Sequence, residues 1–365
     1  MAVIRKYADL TLPTPAYDGK VHTCFSPSKW KHFLCEAESL EPLDGVTNVL
    51  KRAVDKSQPL MRWAVKLALS RVRSLILATG VGGDGAVQLF VDELDKILAA
   101  AKQADTEALE DAGEVGHQAH GVIENVIRAI IAKDDKRLDE VFCTLPDDDR
   151  VVNGVTAAID WMVQHNVRWL KTEFRALSLK HKCCGTADGL ALVDSCLDAE
   201  CCPNPFKDRL SLADWKTSNY LYTTYLWQTS CYVMCHEEEF PEIGQIEDRW
   251  ILRLDKDDAS FDPWHAEGRE AQAEDLEGFL CCLALVRALE RTETRMRAIV
   301  DARKAIKSAR KALEKIERDK IECPKFKDYA GKRLSKCLAD GTQCKACQMK
   351  YEENHAKLHD EENRP

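Results

Sequence analysis

The segment Leu210–Asn219, LSLADWKTSN, ends an apolar alternating run with Asp214 and Lys216 two residues apart. On a strand, that spacing points both side chains to one face. A carboxylate and an ammonium are costly to bury there without partners, so they pair with each other or share a third party such as a metal ion or a phosphate. A second alternating segment, GTADGLALVD, carries Asp188, and the turn-rich SCLDAECCPNPFKD joins the two as a hairpin. In that hairpin Asp188 can face the same side as Asp214 and Lys216. Two carboxylates form a hard oxygen site suited to Mg²⁺ or Mn²⁺. A lysine beside them orients a water or neutralises charge on a phosphate. Together they describe metal-assisted phosphodiester hydrolysis.

Two further pairs sit at helical i, i+4 spacing. Gln228 and Tyr232, in QTSCY, follow the second strand, and His120 and Glu124 lie in GHQAHGVIE. An imidazole suits a more nitrogen-tolerant metal position, consistent with Mn²⁺ alongside Mg²⁺. Each feature also has a plainer reading. Alone, DWK is a strand-end ion pair, His120 a helix-surface histidine with His117 as its rival, and Gln228–Tyr232 a glutamine beside a packed tyrosine.

Elements of both kinds must position these groups. Residues 1–110 read as mostly helical, with Ser26 and Ser28 as N-cap candidates in FSPSKWKHFLCEAESLEP. GGDGAVQLFVDELDKILAAAKQA and GHQAHGVIENVIRAIIAKDD read as two separate amphipathic helices. A third helix over VNGVTAAIDWMVQHNVRWLKTEF leads to a strand around EFRALSL, and a further strand, QIEDRWILRLDKDD, ends in a turn at DPWHAEG. The expected plan is an α/β centre over 111–268, a long helix or helical hairpin over 269–322, and a Cys/His-containing tail over 323–365.

In sequence order, GTAD, DWKTS and QTSCY resemble the RecB-like, phage-type exonuclease branch of the PD-(D/E)XK nucleases. GHQAHGVIE resembles that branch's upstream Gly-x-x-x-His-x-x-x-Glu helix, and VTNVLKRAVDKSQPLMRWAVKLAL its amino-terminal region. The likeness covers roughly residues 40–260. It implies a restriction-endonuclease-like core: a mixed central sheet flanked by helices, with added helical regions at both ends. It also implies that Asp188, Asp214, His120 and the Trp215 backbone carbonyl hold the metal, that Lys216 positions the attacking water, and that Gln228 and Tyr232 order the site and contact DNA. The function implied is an exonuclease of recombination or repair that acts on DNA, with a single-strand annealing protein as its candidate partner. A structure-specific endonuclease and a non-catalytic DNA-binding scaffold are the alternatives.

The net charge of −9 argues weakly against a general nucleic-acid coat protein. The basic stretch 303–336 reads either as a solvated helix face or as a track for a DNA backbone. The start lacks the apolar run of a signal peptide, so the expectation is a cytoplasmic protein (host cytoplasm if phage-encoded) with its 16 cysteines reduced. Cys344, Cys347, His355 and His359 have zinc-like spacing, with a frayed helix as the alternative. Cys196, Cys201 and Cys202 are a weaker zinc candidate, expected near Cys183 and Cys184. Cys35 with Cys337, Cys344 and Cys347 matches the iron–sulfur pattern of related nucleases only loosely, so no cluster is expected.

Overall fold

A computed structural model of the chain describes residues 9–29, 31–35, 40–54, 65–66, 69–70, 74, 86–198 and 200–320, apart from the side chains of 86–107, 109 and 315–320. One mixed sheet of nine strands runs through it. The strands are β1 (Thr14–Ala16), β2 (Val21–Ser26), β3 (Lys31–Cys35), β4 (Leu40–Gly45), β5 (Arg168–Ser178), β6 (Cys183–Val193), β7 (Arg209–Lys216), β8 (Asp248–Leu254) and β9 (Phe261–Glu267). The helices are α1 (Val46–Ala53), α2 (Ala86–Ala132), α3 (Asp135–Cys143), α4 (Asp149–Gln164), α5 (Thr223–Glu239) and α6 (Arg269–Lys320).

Strand β6 organises the sheet. Along one edge it pairs antiparallel with β5 over nearly its full length. Its other edge is shared: β4 pairs parallel at Cys183 and Cys184, and β7 pairs antiparallel from Gly189 to Val193. Residues 185–188 lie between those two partners. Beyond β7 the sheet continues through parallel β8 to antiparallel β9.

Period-two alternation sends side chains of β7 to two cores. Ala213 and Trp215 join Trp161, Trp169 and Trp250 under α2 and α4, whose buried stripes include Val115, Ala119, Ile123 and Ile127. Leu210 and Leu212 join the other core, where α1, α5 and the start of α6 supply Val49, Tyr232, Phe279 and Leu283. Asp214 and Lys216 share the parity of Leu212, which aims them toward the α5 side.

The expectation that 1–110 is mostly helical is corrected: β1–β4 form an antiparallel meander there. Ser26 and Ser28 do not cap a helix. Ser26 Oγ and the Ser28 backbone N–H donate to the Asp9 carboxylate at 3.0 and 2.7 Å, which fastens the β2–β3 turn. The β2–β3 register pairs Cys24 with Phe33, making Cys35 its diagonal neighbour, and Cys24 and Cys35 form a disulfide. These two cysteines depart from the expected reduced state, and Cys35 is committed to Cys24.

Three other differences concern boundaries. The two amphipathic segments are one helix, α2, which runs through its glycines; at Gly116 the missing Cβ makes room for Thr217, whose Oγ1 would lie 2.7 Å from it. The turn expected at DPWHAEG is strand β9, whose edge position tolerates Pro263 opposite Leu252. Cys183 and Cys184 begin β6, at the far end of the hairpin from Cys196–Cys202.

The chain divides into compact units 1–286 and 287–365. Within the second, Met296 and Ile306 are exposed. No helix among the described residues is long and apolar enough to cross a membrane.

Gly185 marks where β6 and α5 touch, since a Cβ there would lie 2.6 Å from the Tyr232 ring. Gly185→Ala is expected to lose about 1–3 kcal/mol in denaturant unfolding. Gly113→Ala, with open space at its Cβ, should be neutral or slightly stabilising. Equal stability of the Gly185 variant and wild type would mean that Tyr232 is not seated against β6.

Candidate metal centre

The strand registers set Glu173, Asp188 and Asp214 side by side. Thr172 pairs with Gly189, and Gly189 with Ala213; one step further along, these three acids follow across β5, β6 and β7. They do not continue the ladder. Glu173 adopts φ 43°, in the left-handed region, and β7 parts from β6 after Ala213. At the parting, the Trp215 backbone N–H donates to Asp188 Oδ2 at 2.8 Å, so a side chain takes the bond a strand neighbour would have made.

Helix α2 supplies the nitrogen donor. Ala119 faces the core, and His120, the next residue, turns toward the parted strands. Its Nδ1 lies 3.7 Å from Asp188 Oδ2. The ligand atoms of His120, Glu173 and Asp188 all lie within 4.8 Å of one another. A cleft of about 620 Å³ opens beside them, walled by Thr47 and Lys51 of α1 and by Gly116 and Glu124 of α2. Glu124 is ion-paired with Arg128, and His117 is exposed at the cleft rim.

Asp214 lies deeper, with 1% of its side chain exposed, and forms an ion pair with Lys216. Its Oδ2 is fully buried and faces the Lys216 ammonium. The Lys216 ammonium also sits 4.9 Å from the centre of the Tyr225 ring. Behind the carboxylates, Gln228 Nε2 donates to the Tyr232 hydroxyl at 2.9 Å, and Tyr232 is 2% exposed. That pair is placed to order the site from within the core.

Electrostatics follow from burying three acids near one another, two of which, Asp214 and Asp188, also face the Lys216 ammonium. Burial and then the charges of Asp188 and Glu124 push the Glu173 carboxyl up to about 8. Burial raises Asp214 to about 6 against the opposing pull of Lys216. Asp188 is raised by burial, with Lys216 and the Trp215 N–H working the other way. Burial alone would lower Lys216, but Asp214 and Asp188 outweigh it and hold the ammonium charged. His120 is lowered to about 4 by burial and by Lys216, which keeps its imidazole neutral near pH 7 and able to donate a lone pair.

Thus His120, Asp188, Asp214 and Lys216, read from the sequence, converge, with Gln228 and Tyr232 behind them. Glu173 was missed; its only signal is the row across three strands, which needs the β5 register. The tail group Cys344, Cys347, His355 and His359, together with Cys337, lies outside the described residues. Neither the protein-family models nor the curated proteins compared with the chain contain a match to it.

A carboxyl whose folded pKa is raised contributes stability in acid that is lost as pH rises through that pKa. For Glu173 the loss runs from about pH 4.5, its ordinary value, and is complete near pH 8. The opposite contribution of His120 is complete by about pH 6.5, its unperturbed value. Glu173→Gln should therefore gain Tm relative to wild type as pH is raised from about 6 to 9, with both proteins scanned in the same chelator-treated buffer. A pH-independent difference would show that Glu173 does not share the acidic row.

Proposed function

We propose that the protein is a Mg²⁺- or Mn²⁺-dependent deoxyribonuclease of restriction-endonuclease-like fold, an exonuclease acting on DNA ends in phage-type recombination or repair. The observation that carries this reading is the row Glu173–Asp188–Asp214, with Lys216 beside it, where β6 and β7 part. The resemblance of GTAD, DWKTS, QTSCY and the His120 helix to the RecB-like nucleases supports the same assignment. A cytoplasmic setting beside a single-strand annealing protein belongs to the proposal.

The donors fit a hard divalent cation. His120, Glu173 and Asp188 bring one neutral imidazole and two carboxyl groups together, and Asp214, buried and ion-paired with Lys216, is close enough to interact with Asp188 and His120. Asp188, Asp214, His120 and the Trp215 carbonyl would hold the ion, with Glu173 as a further carboxylate. When bound, the ion supplies positive charge at the scissile phosphate and acidifies a water.

The remaining chemistry belongs to the chain. Lys216 keeps its proton while paired with Asp214. Released from that pair, the buried amine loses the charge that stabilises its protonated form and can take a proton from the attacking water. Tyr232, fixed by Gln228, holds α5 against the carboxylate strands. Lys51 on the cleft wall offers a cation to the DNA backbone.

The test is digestion of end-labelled linear DNA and covalently closed circular DNA with Mg²⁺, Mn²⁺ or chelator. Metal-dependent loss of linear DNA alone is expected, reduced about 10²-fold or more by Lys216→Ala. Asp214→Asn should abolish cutting while DNA binding persists. Cleavage of closed circles would make the protein an endonuclease. Binding without cleavage of either substrate would leave a scaffold that retains the fold.

A further inference from the structure

The connection between β6 and β7 carries a second constellation, remote from the acidic row. Cys196, Cys201 and Cys202 converge there on His165, the residue that ends α4, and the four ligand atoms all lie within 4.8 Å of one another. His165 Nε2 is 3.5 Å from Cys201 Sγ and 3.7 Å from Cys202 Sγ, and the two sulfurs are 3.9 Å apart. With Zn–S of about 2.3 Å and Zn–N of about 2.0 Å at tetrahedral angles, sulfur–sulfur edges are about 3.8 Å and sulfur–nitrogen edges about 3.5 Å. The observed spacings already approach that tetrahedron.

The surroundings are built to aim these groups. His165 is fully buried, and its Nδ1 lies 3.0 Å from the Trp161 carbonyl, an acceptor that fixes the proton on Nδ1 and turns the Nε2 lone pair to the sulfurs. The Trp161 ring stacks on the imidazole at 5.2 Å between centroids. The Cys202 N–H donates to the Asp198 carbonyl at 2.8 Å, and Cys196 Sγ lies 3.6 Å from the same oxygen, which draws Cys196 towards the Cys201–Cys202 pair. Asp194 accepts from Arg168, from Asn166 Nδ2 and from the Asp208 N–H, which clamps the base of the connection.

We propose that His165, Cys196, Cys201 and Cys202 form a closed structural site for a thiophilic divalent cation, zinc by preference, which ties the β6–β7 connection to the end of α4. The three thiols bind as thiolates and release their protons to solvent, while His165 donates through neutral Nε2. With four protein ligands no position remains open for a substrate, so the role is structural. The ion would brace the hairpin whose strands carry Asp188 and Asp214.

The full chain serves as its own test. Zinc is measured by elemental mass spectrometry after exhaustive dialysis, in wild type, in Cys201→Ser and in Cys344→Ser/Cys347→Ser. Cys201→Ser should lose about one zinc per chain relative to wild type, and the tail double variant should keep that ion. Because Cys201→Ser could misfold, Co²⁺ is also loaded into the tail variant, where all four proposed ligands remain. The visible spectrum of tetrahedral cobalt with thiolate charge-transfer bands is expected there. Unchanged zinc in folded Cys201→Ser, no such cobalt spectrum, or a disulfide between any two of Cys196, Cys201 and Cys202 in protein alkylated at harvest would overturn the proposal.

Discussion

The hydrogen bond from the Trp215 backbone N–H to the Asp188 carboxylate is the interaction on which the rest depends. It replaces a rung of the sheet with a side chain, so β7 can leave β6 without stranding a buried N–H. The two strands thereby open a notch inside a continuous sheet. Into that notch project acids from three adjacent strands, while α2 approaches from the side. Gly116, where a Cβ would collide with Thr217, lets the helix come that near.

The arrangement runs against stability. Like charges drawn together under burial hold their protons abnormally tightly, and one lysine cannot neutralise three carboxylates. A fold under no further demand would replace such a group with apolar side chains at little cost or a gain. Its presence inside an otherwise well-packed α/β sheet marks a place where the chain retains charge at the expense of stability. The proposed nuclease chemistry gives that retained charge a use.

Legibility in the sequence followed the range of the interactions. Asp188, Asp214 and Lys216 were readable because a hairpin pairs segments close in sequence and period two fixes the face. Gln228–Tyr232 and His120–Glu124 were readable because helical spacing is local. Glu173 was not, since its role rests on a strand register and a positive φ that no neighbouring residue announces. His165 was hidden for a similar reason: it stands 31 residues before Cys196 and joins the cysteines only when α4 docks beside the hairpin. The β1–β4 meander was misread because serines and a proline that suit a helix start also suit a tight turn, and the choice falls to Asp9. Strand β9 contradicted a local turn signal, which an edge position could absorb.

The tryptophan cluster has an optical consequence. Four of the eight tryptophans, at 161, 169, 215 and 250, pack with Trp161 at their centre, its ring 5.5 to 6.5 Å from each of the other three. Indoles that close couple their electronic transitions, giving the folded chain a near-ultraviolet circular dichroism signature that loose packing would erase. Trp215 belongs both to that cluster and, through its peptide group, to the carboxylate notch. The protein thus carries an intrinsic chromophore whose backbone is bonded to the acidic row, so a rearrangement there can be followed by light without any attached label.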